Sequence, residues 1–231
     1  MAVNAFATAQ DTIRRVSLHT DAAILFYSCG KDSIALLDMM APYFKKIVLF
    51  HMYFVKGIPH VEQNLKWAAK AYKNIEISQA AHFRLTSIRR AGIFCNPDPT
   101  IKKLTLTDLD NYARKKHGID WTFYGNKKTD GLNRMLMLKS YGEVPVHFGT
   151  QKAYPLSNLK NGDVLRYIKQ RRLISPVSYG MGQSNALGFG LPCLLWMRDN
   201  DPAGLQMIYS KFPKSKQVLF EYDSKTSEIQ D

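Results

Sequence analysis

Between residues 22 and 125, short unbroken apolar runs alternate with longer stretches of helical spacing, and this alternation limits the fold more than any other feature. "AAILFYS" (22–28), "KIVLFHMYF" (46–54), "KNIEIS" (73–78) and "WTFYG" (121–125) have the length of strands buried on both faces. "SIALLDMMAPYF" (33–44), "HVEQNLKWAAKAY" (60–72) and "DLDNYARKKHGID" (108–120) carry the helical patterns between them. In the second of these, Val61, Leu65, Ala68 and Ala69 share one face. Strand and helix in alternation are the sequence form of a parallel α/β sheet covered by helices. The chain has 231 residues, 45% of them hydrophobic, which is ample for one such core.

From about Tyr141 onward the periodicity weakens. Pro145, Pro155, Pro176, Pro192, Pro202 and Pro213 fall among glycine-rich pieces such as "YGMGQSNALGFGLP". This part is expected to form loops and short helices, an irregular helical segment over the sheet. No repeat, low-complexity tract or long linker divides the chain, so residues 1–231 read as a single domain whose less regular C-terminal part spans about 141–231.

The junction after the first strand, "YSCGKDS" (27–33), joins a strand to a helix starting near Ser33. The first N–H groups of a helix lack intrahelical partners and the helix dipole adds positive charge there, so the junction is an anion site. Gly30 allows close backbone approach, the Ser28 and Ser33 hydroxyls can donate, and Lys31 supplies a full charge. Asp32 suits a helix cap or a metal. A Walker A loop needs a glycine where this chain has Leu25, so kinase or GTPase chemistry of that kind is disfavoured.

"SCGKDS" resembles the S-G-G-K-D-S loop, the PP-motif, of the adenine nucleotide alpha hydrolase-like superfamily. Two further segments resemble its phosphoadenosine phosphosulfate (PAPS) reductase branch. "GNKKTDGLNR" is similar to G-x-R-x-x-E-S-x-x-R: Gly125 and Arg134 are kept, Lys127 replaces arginine, Asp130 replaces glutamate and Gly131 replaces serine. "YPLSNLKNGDVLRYI" is similar to P-L-x-x-W-x-x-x-D-V-W-x-Y-I, with Leu159 and Leu165 in place of the two tryptophans. The resemblance runs from about Ala23 to Gly182 and implies a parallel five-stranded sheet with an adenine nucleotide, ATP or PAPS, across the carboxyl ends of its strands. The catalytic cysteine of the reductases, in a C-terminal E-C-G-L-H segment, has no match after Cys193. The nucleotide site is therefore expected to persist without the reductase chemistry.

With ATP, the implied reaction is attack of a substrate oxygen on the α-phosphorus with loss of pyrophosphate. The adenylylated product is then open to displacement by nitrogen or sulfur. Such chemistry asks for charge neutralisation more than covalent work. Lys31, Asp32 and Arg134 form the expected catalytic group; Ser28, Gly30, Lys31, Asp32, Ser33, Gly125, Lys127, Asp130 and Arg134 form the expected binding set. Lys31 and the loop amides suit pyrophosphate, while Lys127 and Arg134 suit other phosphate oxygens, a role Lys128 can serve equally. Asp32 and Asp130 either share Mg2+ or cap helices. Adenine is assigned to backbone near Phe50, His51 and Met52. Cys29, at a helix N-terminus, is read either as a thiol of lowered pKa or as a small residue replacing glycine.

A formal charge of +13, carried in pairs such as Lys45-Lys46, Arg114-Lys115-Lys116 and Arg171-Arg172, favours polyanions, including a nucleic acid partner. Three widely spaced cysteines fit neither a disulfide framework nor a zinc site. No stretch approaches the roughly 18 apolar residues of a membrane span, and no secretory leader is visible at the N-terminus. These features lead to the expectation of a cytoplasmic protein with no membrane partner; a homo-oligomer is left open. Two other readings stand beside the adenylating or sulfur-transferring enzyme. One is a sulfonucleotide reductase with a relocated thiol, and the other is a non-catalytic basic module that binds nucleotides or nucleic acid.

Overall fold

A computed structural model describes residues 5–142, 144–179 and 189–227. In chain order the elements are α1 (Ala5–Ser17), β1 (Ala22–Phe26), α2 (Lys31–Met40), β2 (Lys46–Tyr53), α3 (Pro59–Ala71), β3 (Ile75–Ala81), α4 (Arg84–Ala91) and α5 (Leu106–His117). There follow β4 (Thr122–Phe123), α6 (Leu132–Lys139), β5 (Val146–His147), β6 (Lys152–Ala153), α7 (Asn161–Gln170), α8 (Leu191–Asn200), α9 (Pro202–Lys211) and α10 (Lys216–Ser227).

The strands form one sheet in the order β3-β2-β1-β4-β6-β5. The pairings are parallel except for β5 with β6. Five parallel strands thus match the expected sheet, and a two-residue antiparallel strand extends one edge. Side chains of β1 and β2 alternate between two cores: Ala23, Leu25, Ile47 and Leu49 pack on one face, Ile24, Phe26, Val48 and Phe50 on the other. Apolar residues on both faces explain why these strands read as unbroken apolar runs.

β1 lies between β2 and β4, where the chain turns from building one side of the sheet to building the other. The carboxyl ends of β1 and β4 thus stand at the switch point where open α/β sheets take ligands.

The C-terminal part is more regular than the sequence suggests. Lys152–Ala153 supplies the fifth parallel strand, and α7 to α10 are helices of 10 to 12 residues. Proline misleads here because it is favoured in a helix's first turn, where its missing N–H costs nothing: Pro192 and Pro202 open α8 and α9. Most of the glycine-rich stretch, residues 180–188, lies outside the described residues.

α7 is fixed beside α2 through Asp38. This buried carboxylate accepts hydrogen bonds from Tyr72 Oη at 2.9 Å, Tyr167 Oη at 2.7 Å and Arg171 Nε at 2.9 Å. Burial pushes the Asp38 pKa up, but the bonds from Arg171, Tyr167 and Tyr72 outweigh it and hold the carboxyl below its usual range.

Candidate functional site

The loop after β1 delivers its backbone to the N-terminus of α2. Gly30 is the extended N-cap, and no side chain caps the helix. The first intrahelical bond runs from Ile34 N to Gly30 O at 3.0 Å. The N–H groups of Lys31, Asp32 and Ser33 therefore stand outside the helical ladder. Ser28 is exposed, and its Oγ accepts from Gly30 N at 3.3 Å. Ser33 is buried and donates to the Gly30 carbonyl at 2.9 Å, so its hydroxyl shapes the loop from below.

Five of the residues selected from the sequence form one chain of alternating charge. Lys31 Nζ lies 3.0 Å from Asp32 Oδ2, and Asp32 Oδ1 lies 2.7 Å from Lys127 Nζ. The same Nζ is 3.0 Å from Asp130 Oδ1, and Asp130 Oδ2 is 3.2 Å from Arg134 Nη1. Asp130 Oδ2 also accepts from Lys127 N at 2.8 Å. Burial raises the Asp130 pKa, but the backbone and ammonium of Lys127 and the charge of Arg134 lower it further, so the net shift is downward.

This geometry separates the candidates. Lys127 is fully enclosed, and its ammonium stands between two carboxylates rather than toward a phosphate. Its contact with Asp32 is an ion pair without the alignment of a hydrogen bond. Lys128 turns elsewhere, with Nζ donating to Asn158 Oδ1 at 2.8 Å. Arg134 is half exposed and remains open toward solvent. Asp32 and Asp130 do come together, but with a lysine ammonium between them the pair does not fit a shared Mg2+. Among the described residues, no group of three or more His, Cys, Asp or Glu is arranged to hold a metal ion.

Two glycines of the second motif have backbone reasons. A Cβ on Gly125 would stand 3.1 Å from Asp32 Cβ, so the chain leaving β4 passes the first turn of α2 at a distance few side chains allow. Gly131 has φ +141° and ψ 165°, a region essentially restricted to glycine. The replacement of the motif's serine by Gly131 thus accompanies a backbone that serine does not readily adopt.

Cys29 differs from its reading as an activated thiol. It stands at φ +61°, fully buried, with Sγ 3.9 Å from His51 Nδ1. Burial, and then the charge of Glu62, push the thiol pKa up. Proximity to a helix N-terminus is overridden because the thiolate would have to form without water. His51, at the carboxyl end of β2, places Nδ1 2.9 Å from the Tyr27 carbonyl oxygen; that nitrogen carries the proton, because a carbonyl only accepts. Its pKa is lowered by burial. Nε2 is then an acceptor with no partner among the described residues.

Not all of the positive charge is surface. Besides Lys127, Arg114 pairs with Asp110 at 3.2 Å and donates to Thr122 Oγ1 at 2.8 Å, and Lys152 pairs with Asp110 at 3.1 Å. Lys169 and Arg172, which no motif singles out, line a cleft with Lys31. The Arg171-Arg172 pair is their one trace in the sequence.

The model of the phosphoadenosine phosphosulfate reductase domain matches residues 22–177, more than half of the chain. Among solved structures, the U34-tRNA thiolase NcsA from Methanococcus maripaludis, solved with its [4Fe-4S] cluster, is 13% identical. It has a TM-score of 0.50, and the match covers 95% of this chain and 78% of that one. An NH3-dependent NAD synthetase from Campylobacter jejuni matches more weakly, with 15% identity, a TM-score of 0.43 and coverage of 94% and 96%. No curated protein matches the sequence significantly. At such identities the thiolase likeness speaks for the fold alone. The extent of the domain match, which includes the loop after β1 and the segment from Gly125 to Arg134, decides the family: this chain belongs to the phosphoadenosine phosphosulfate reductase domain family.

Proposed function

We propose that the protein is an adenine nucleotide-binding enzyme that takes ATP, adenylates an acceptor and releases pyrophosphate, with nitrogen or sulfur transfer as the sequel. The observation that carries this reading is the uncapped N-terminus of α2 at the carboxyl end of β1, with Lys31 beside it and Ser28 exposed. An acceptor oxygen attacks the α-phosphorus, the bond to the bridging oxygen breaks, and the departing pyrophosphate gathers charge. Lys31, the amides of residues 31–33 and the Ser28 hydroxyl meet that charge. Arg134 offers a second cationic contact. Lys127 and Asp130 act as positioning residues, holding Asp32 and Arg134 through the ion pairs described above.

The reductase alternative needs a thiolate aimed at a sulfonyl sulfur. Cys29 and Cys193 are both buried, and the thiol of Cys29 is pushed away from ionisation, which weakens that reading.

Calorimetry with ATP and with PAPS, followed by pyrophosphate release across a panel of acceptors, tests the proposal. ATP is expected to bind, and Lys31→Ala to weaken it about tenfold or more, in the range of a lost charge-assisted contact. PAPS binding with thioredoxin-dependent sulfite release, and no ATP binding, would favour the reductase instead.

A further inference from the structure

A cleft of about 870 Å3 opens beside the nucleotide loop, between α7 and the chain at 172–178, with Lys31 on its wall. Its size is that of a small-molecule site. The charged side chains on its wall are Lys31, Lys169 and Arg172, all cationic, and Leu165, Ile168 and Val177 give it an apolar surface. Among the described residues, neither Lys169 nor Arg172 has an ion-pair partner. Neighbouring Arg171, in contrast, is committed to Asp38. A concave surface with unneutralised charge of one sign concentrates the opposite charge.

Two local features keep this cleft open and charged. Position 165 carries leucine where the related motif has tryptophan, and it is 47% exposed. Arg172 closes α7 as the left-handed residue of a Schellman turn: Arg172 N bonds to Lys169 O at 3.2 Å, Leu173 N to Ile168 O at 3.0 Å, and φ is +53°. Glycine is the usual residue there, because a Cβ is disfavoured at positive φ. A residue that departs from the best backbone choice while presenting charge to a cleft is an outlier from which function is properly inferred.

We propose that this cleft is the acceptor subsite, taking an organic anion whose apolar or aromatic body lies on Leu165 and Ile168 and whose phosphate or carboxylate is held by Lys169 and Arg172. The reactive end of the acceptor then faces Lys31 and the nucleotide. This assignment rests on the adenylation reading, since it supplies that reaction's second substrate.

The test uses the full chain with phenyl phosphate, benzoate and inorganic phosphate as probes, by calorimetry, with and without saturating α,β-methylene-ATP. Phenyl phosphate or benzoate is expected to bind alongside the nucleotide analogue, and inorganic phosphate at least tenfold more weakly. Leu165→Trp, which fills the cleft, and Arg172→Gly, which relieves the left-handed residue, are each expected to weaken the organic probe at least tenfold without changing analogue binding. Arg172→Gly is expected to leave the melting temperature equal or higher, so its loss of binding cannot be ascribed to misfolding. Competition between probe and analogue, or organic probe binding unchanged in both variants, would overturn the proposal. So would single-stranded RNA binding that depends on Leu165 while the small anions fail. If the analogue itself does not bind, the adenylation reading fails; probe binding that remains sensitive to both variants would then leave an anion cleft and remove the acceptor role.

Discussion

Lys127 Nζ stands 2.7 Å from Asp32 Oδ1 with the lysine wholly removed from solvent. This pair joins the strand-exit segment after β4 to the first turn of α2. A buried ion pair contributes little net stability over an apolar replacement of both partners, but removing one partner leaves an uncompensated charge. Lys127→Met is therefore expected to cost about 3 kcal/mol, at the lower end for a broken buried pair, since Asp32 keeps only Lys31 and Asp130 keeps only Arg134, and the two carboxylates lose the ammonium between them. Urea unfolding at pH 7 measures it. A cost within experimental error of zero would mean that the two carboxylates are held by other groups.

Asp38 and Asp130 make stability depend on acidity in a defined direction. The Asp38 carboxyl is buried and that of Asp130 is partly shielded from solvent, which raises their pKa. Arg171, Tyr167 and Tyr72 in one case, and Lys127 and Arg134 in the other, more than reverse it, so both sit below the ordinary 3.8. The folded state then binds fewer protons than the unfolded one near that pH. Its stabilisation is present above about pH 4 and is lost as pH falls through the depressed folded values. Unfolding midpoints followed from pH 7 to pH 2.5 should fall in the wild type. Asp38→Asn and Asp130→Asn are each expected to flatten that fall while lowering stability at pH 7.

Gly131 predicts a backbone effect without loss of any contact. At φ +141° a serine or alanine would be strained, so Gly131→Ser, which restores the motif's residue, should destabilise by about 1–3 kcal/mol. Gly162, near the start of α7, has open space where a methyl group would stand and no positive φ, so Gly162→Ala serves as the control. It is expected to be neutral or stabilising by up to about 1 kcal/mol, because alanine favours helix. Thermal denaturation of the two variants in parallel separates them.

Alkylation by iodoacetamide at pH 8 should modify Cys95, which is partly exposed, well before Cys29 or Cys193, which are buried. Protection of Cys29 is expected to persist until unfolding, as both burial and its raised pKa suppress the thiolate. Cys29→Gly suits the positive φ at that position and should retain nucleotide binding within about twofold. Loss of pyrophosphate release in Cys29→Gly, with binding kept, would return the thiol to the mechanism.

How much of this is readable in the sequence depends on how local the cause is. β1, β2, α2 and α3 are legible because two-sided burial writes a continuous apolar run and one-sided burial a helical stripe. β4 lies within the run "WTFYG" read as a strand, whereas β5 and β6 are two residues long and their pairing is set by the neighbouring strand rather than by their own composition. α1, α4 and α6 have no counterpart among the segments that periodicity marks. Within the site, the loop and the Gly125–Arg134 segment are visible as motifs, and the fold unites them. The partner of Lys127 is not legible, because its enclosure depends on α2 and the chain after β4 meeting across the sheet end. Of the two readings of Cys29, the small buried residue fits and the activated thiol does not, for a related reason: a rule about helix termini is local, whereas solvent exclusion is a property of the whole fold.

The row from Lys31 through Asp32, Lys127 and Asp130 to Arg134 has an odd number of members, so its first and last must carry the same sign. Its three interior charges, Asp32, Lys127 and Asp130, sum to −1 and its two tips to +2, so one positive charge is left over for the whole row. In the proposed function a polyphosphate is then grasped at the two tips and kept off the interior, where the enclosed lysine offsets only one of the two carboxylates. Reversing the order of signs would have turned both tips against it.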